Sequence, residues 1–255
     1  MNKILSFVLL STILFSSCSS DNDIEQKKIE ITLNFTHNWD GTALTSSDFN
    51  NFKFTTQNGE TISIERLRYV LSNIRLINGD ETFTFSNYNL IDLEEEKGFI
   101  LNLPEKIVLG SYQLKFTFGF SDADNTDGSY QDLNSASFSV PGMLGGGYHY
   151  MQFDGKYKDV NNADAGFNYH AIRAVDRTDP NNLIFEDTSF EVNLGTLSFI
   201  NDSEVIIKAN IAEWFKNPNS WDLNVLNTVL MPNFEAQKLI SANGKTVFSL
   251  GDITQ

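Results

Sequence analysis

Gly142-Met143-Leu144-Gly145-Gly146-Gly147-Tyr148-His149-Tyr150-Met151-Gln152-Phe153-Asp154-Gly155-Lys156 opens on a glycine run and becomes an alternating segment. Successive side chains of a strand point to opposite faces. The alternation therefore predicts a strand over 147–154, with His149, Met151 and Phe153 on one face and Tyr148, Tyr150 and Gln152 on the other. Three consecutive glycines bring no side chain to a core. They permit unusual backbone angles and close approach by other segments. An imidazole and a thioether side by side make a soft-metal corner, with Met151 as the soft ligand and core filling as its ordinary role.

The same period of two recurs in both directions. Ile29, Ile31, Leu33 and Phe35 alternate with polar residues, and Tyr112 to Phe120 does the same. Asn58-Gly59 between two alternating runs predicts a hairpin. Strands are expected at 52–56, 61–64, 67–77, 82–86, 166–175, 190–194, 196–200, 205–211 and 247–253. Helix is expected at 233–242, with Gly244 as its stop, and also over 224–231. Many short strands and few helices predict an all-β fold, a β-sandwich with small C-terminal helical additions.

The N-terminus has the layout of an export leader. Lys3 gives the positive start, and the apolar run from Ile4 to Phe15 is too short to span a bilayer. Leu14-Phe15-Ser16-Ser17-Cys18 resembles a bacterial lipoprotein cleavage box, with Phe15 where leucine is usual. The expected organisation is a signal peptide at 1–17, a tether at 18–27 from a lipidated Cys18, and a sandwich domain at 28–255. The acidic SSDNDIEQ after Cys18 resembles the surface-export tag of Bacteroidetes lipoproteins. An outer-membrane lipoprotein facing the periplasm or the cell surface is expected. Cys18 is the single cysteine, so the domain must stand on its core without a disulfide.

A formal net charge of −15 argues against nucleic acid as a partner and favours cations or basic proteins. The chain contains no GxSxG, HExxH or GxxxxGK motif, so a binding protein rather than an enzyme is expected. Three histidines are present, His37, His149 and His170. Neutral imidazole suits copper and zinc. The Asp122–Asp127 loop resembles a calcium loop in composition, but Thr126 stands at the third ligand position and no glutamate follows in register.

Taken together, Phe35-Thr36-His37, the segment Leu67 to Leu76, Met143 to Gly155, Tyr169-His170 and the ending Ile240 to Phe248 resemble the MbnP-like family, over about 28–253. The resemblance implies an exported β-sandwich that binds copper through histidines for storage or acquisition. It also implies a dihaem partner of the cytochrome c peroxidase type, which oxidises a tryptophan to a copper-binding kynurenine. By matching motifs, His37 and His170 are the carried-over ligands, and strand geometry adds His149. One departure is clear: family members place tryptophan after the methionine matching Met143, and here Leu144 stands there. Trp39, next but one to His37, is the tryptophan closest in sequence to a candidate ligand. The alternative is a surface adhesin or ligand-binding sandwich without metal.

Overall fold

The structure is a computed structural model that describes residues 26–179 and 181–255. The expected signal peptide and Cys18 lie outside the described residues. Among those residues no helix is long and apolar enough to cross a membrane.

The spine is one 18-residue strand, Thr61–Asn78. Two separate strands were expected there, but β-branched and aromatic residues run through both and nothing between them turns the chain. Its first half pairs with Met151–Lys158, its second half with Gly110–Phe118, and its other edge with Glu81–Asp92. The register shifts between Ser72 and Arg75, where Asn73 has φ +51°. This bulge turns the strand between neighbours. The Asn58-Gly59 hairpin forms as expected, with Thr55 opposite Thr61. Asp164–Ala171 pairs along Met151–Lys158 at one edge, and Phe190–Phe199 pairs along Gly110–Phe118 at the other.

A second sheet faces this one. Ile31–Trp39 runs parallel to Ser203–Asn210, which pairs antiparallel with Phe248–Thr254. Alternation along Ile31–Trp39 buries Ile31, Leu33, Phe35, His37 and Trp39 toward the first sheet. Rings from the two sheets interlock. Phe116 lies 6.2 Å from Phe35 and 5.3 Å from Phe248, and Tyr69 lies 5.9 Å from Phe248. The all-β sandwich expected from the sequence is the observed architecture.

The helical reading needs two corrections. Phe234–Gly244 is the C-terminal helix, and the Asn233 side chain caps it by accepting from the Ala236 amide. Gly244 belongs to the helix rather than stopping it. A Cβ there would come within 2.5 Å of Phe190 and 2.7 Å of Trp214, so the glycine lets the helix lie on the core. Residues 224–231 form no helix. The Asn227 carbonyl there accepts from the Asn168 amide at 2.7 Å, so this segment lies along an exposed strand edge instead.

Candidate metal centre

The glycine run decides where His149 stands. Gly147 has φ +79°, and a Cβ there would lie 2.5 Å from Asn125 Oδ1. That oxygen accepts from the Tyr148 amide at 2.8 Å. The run thus sits directly on the 121–128 loop, an approach only glycine allows. The His149 amide then donates to the Phe138 carbonyl at 2.8 Å.

His149 and Met151 do not share a face, contrary to the alternation read from the sequence. Regular strand begins at Met151, after a bend at Tyr150. Period-two alternation cannot be carried back across a bend. Met151 is wholly buried in the main core between the sheets. His149 lies against His170 instead, with ring centroids 5.2 Å apart and planes at 83°. His170 stands opposite Gln152 in the strand register, on the face away from Met151.

The partners of each ring assign its proton. His149 Nδ1 is 2.8 Å from the Phe138 carbonyl oxygen. A carbonyl only accepts, so Nδ1 carries the hydrogen and Nε2 the lone pair. That Nε2 faces Met231 Sδ at 3.2 Å. Burial holds the His149 imidazole down to about 4, so it is neutral at neutral pH. His170 Nε2 is 2.8 Å from Asp154 Oδ1. Burial raises the Asp154 carboxyl, but hydrogen bonds from His170, Asn168 and Arg66 outweigh it and leave the group at about 2. A carboxylate can only accept, so His170 donates from Nε2. His170 Nδ1 is left buried and without a hydrogen-bond partner among the described residues.

One cluster therefore holds the unprotonated His149 Nε2, an unpartnered His170 Nδ1 and a thioether sulfur. A lone pair against a sulfur is a poor contact, which a cation would turn into a favourable one. Two donors sharing one ion at bond lengths of about 2.0–2.3 Å stand about 3–4 Å apart. The nitrogen–sulfur separation of 3.2 Å falls in that range.

Met231 was not expected. It is 82 residues from His149 in the chain and comes from the segment misread as helix. Gln237, fully buried on the C-terminal helix, brings it in. Its Nε2 donates to the His170 carbonyl at 2.9 Å and to the Leu230 carbonyl at 3.0 Å. Val229 has φ +57°, a strained angle for a β-branched residue. His170 and Met231 both line a cavity of about 240 Å³, walled also by Asn168, Val229 and Leu230. Leu144 lies in the small apolar cluster against which Met231 packs.

The other candidates lie elsewhere. His37 faces the core of the second sheet, with Nε2 2.8 Å from the Tyr69 hydroxyl and its ring 5.0 Å from that of Phe99. Strand alternation puts it there, on the opposite side of the first sheet from His170. Trp39 stacks on Phe54 at 5.1 Å and donates to the Thr55 carbonyl. In the Asp122–Asp127 loop, Asp124 accepts from Ser121, Asp122 faces Arg173 at 3.4 Å and Asn125 holds Tyr148. The loop's polar groups dock the glycine run. Among the described residues no three His, Cys, Asp or Glu side chains group to hold a metal; beside the histidine pair stands the Met231 sulfur.

A family model described as MbnP matches residues 28–232. The Ile240–Phe248 stretch lies beyond the match. No curated protein matches the sequence. Among solved structures, MbnP from Methylosinus trichosporium aligns with a TM-score of 0.49 at 11% identity, over 78% of this chain and 80% of that chain.

Proposed function

The chain belongs to the MbnP family, and on that premise we propose that it binds copper(I) through His149 Nε2, His170 Nδ1 and the Met231 thioether. One observation carries the reading: a neutral His149 whose Nε2 lone pair faces a sulfur 3.2 Å away, beside a His170 whose bond to Asp154 leaves its Nδ1 without a partner among the described residues. Nitrogen with thioether is a soft donor set that suits Cu(I) over the hard cations. The role is storage or acquisition of copper, not catalysis. The setting is extracytoplasmic, with the domain tethered to the outer membrane through a lipidated Cys18.

The family resemblance gives part of the copper binding to an oxidised tryptophan. Here Leu144 stands in its place, in the apolar cluster against which Met231 packs. The sulfur supplies the missing donor, so the chain binds copper as synthesised, without a dihaem partner. The test is a Cu(I) competition titration on protein made without any haem enzyme. One tight site is expected, weakened at least about tenfold by His149→Ala, His170→Ala or Met231→Leu, with each lost tenfold equal to about 1.4 kcal/mol. Met151→Leu should leave it unchanged. Wild-type affinity in all three site variants would refute the assignment.

A further inference from the structure

The face of the first sheet that carries His170 also carries a second polar site. Asp92, Arg68, Gln152 and His170 stand in register across four strands. Arg68 and Arg66 line a groove of about 650 Å³ with Leu90, Asp92, Glu94 and Asp132. That volume is within the usual range for small-molecule pockets.

Most charges around this groove already have partners. Arg66 holds Asp154, Lys97 pairs with Glu95 at 3.1 Å, and Tyr88 donates to Asp132. Arg68 is different. Its Nε donates to Gln152 Oε1 at 2.8 Å, and its guanidinium lies 5.3 Å from the Phe138 ring centroid. Its terminal amino groups have no hydrogen-bond partner, and Arg68 forms no ion pair, among the described residues. Asp92, its cross-strand neighbour, is not within ion-pair distance. A guanidinium keeps its charge and presents a fork suited to a carboxylate.

The lining selects the class of ligand. A bare anion at Arg68 would meet the carboxylates of Asp92, Glu94 and Asp132. A cation alone would meet Arg68. A molecule carrying both charges satisfies both ends, and Leu90 offers an apolar contact beside them. We propose that this groove binds a zwitterion of the amino-acid or short-peptide class. Its carboxylate sits on Arg68 and its ammonium on Asp92 and Glu94.

The test is isothermal titration of the copper-free chain with glycyl-leucine, so the result does not depend on the metal reading. Saturable binding is expected, at least about tenfold weaker for the N-acetylated and C-amidated forms. Arg68→Gln should weaken the free dipeptide to the level of the amidated one. Arg68→Lys keeps the stem and the charge, and should bind between wild type and Arg68→Gln. Asp92→Asn should weaken the free dipeptide but not the acetylated form. Equal binding of the acetylated dipeptide would make this a plain carboxylate site and overturn the proposal. So would unchanged binding in folded Arg68→Lys and Asp92→Asn, or no binding to wild type up to about 10 mM.

Discussion

Asp154 Oδ1 stands 2.8 Å from His170 Nε2, and that contact decides which nitrogen of the ring is free. The carboxylate is held in turn by Arg66 and Asn168. A metal-ligating histidine commonly donates its other ring N–H to such a group, which fixes both tautomer and orientation. Asp154→Asn keeps the size but offers an amide that can point a donor at the ring. Copper(I) affinity should fall about 10–100-fold while the circular dichroism spectrum stays that of the wild type. An unchanged affinity would remove Asp154 from the account.

The glycine run gives a paired prediction on stability. Gly147→Ala puts a Cβ 2.5 Å from Asn125 Oδ1 at φ +79°. The loss should exceed about 2 kcal/mol in urea denaturation, since strain and a displaced hydrogen bond add. Gly142 opens the same run, but a Cβ there meets nothing within 4 Å. Gly142→Ala should shift stability by less than about 0.5 kcal/mol.

His37 gives an acid dependence. Burial pushes its imidazole down to about 3 from an ordinary 6.5. The folded state therefore binds fewer protons than the unfolded chain between those two values. Stability is full above about 6.5 and is lost as pH falls toward 3, with a slope of up to about 1.4 kcal/mol per pH unit for the one proton. His37→Gln removes that proton. Urea midpoints measured from pH 7 to pH 4 should fall less steeply in the variant. Parallel curves would show that His37 is not the group responsible.

Much of this architecture was legible in the residues. Asn58-Gly59 marks its hairpin because the pair tolerates the left-handed angles of a tight turn. Alternation in Ile31–Trp39 is plain because one face meets the core. The helix expected over 233–242 is observed at Phe234–Gly244. The site was legible only in part. His149 and His170 were both singled out, but the face of His149 was misjudged, because a bend at Tyr150 leaves no mark in a pattern of alternating types. Met231 had no local signal. It reaches His149 through a long loop held by Gln237, and loop placement is decided by tertiary contacts rather than by period. The 224–231 segment read as helix for the same reason. Its backbone is used along the edge of Asp164–Ala171, where the Asn227 carbonyl accepts from the Asn168 amide.

In the proposed site two imidazole nitrogens and one methionine sulfur hold copper(I). X-ray absorption at the copper edge on Cu(I)-loaded protein tests it most directly. A coordination sphere of two nitrogens and one sulfur is expected, at about 2.0 and 2.3 Å, with loss of the sulfur scatterer in Met231→Leu. A wild-type shell of nitrogen and oxygen alone, or a sulfur signal that persists in Met231→Leu, would contradict it.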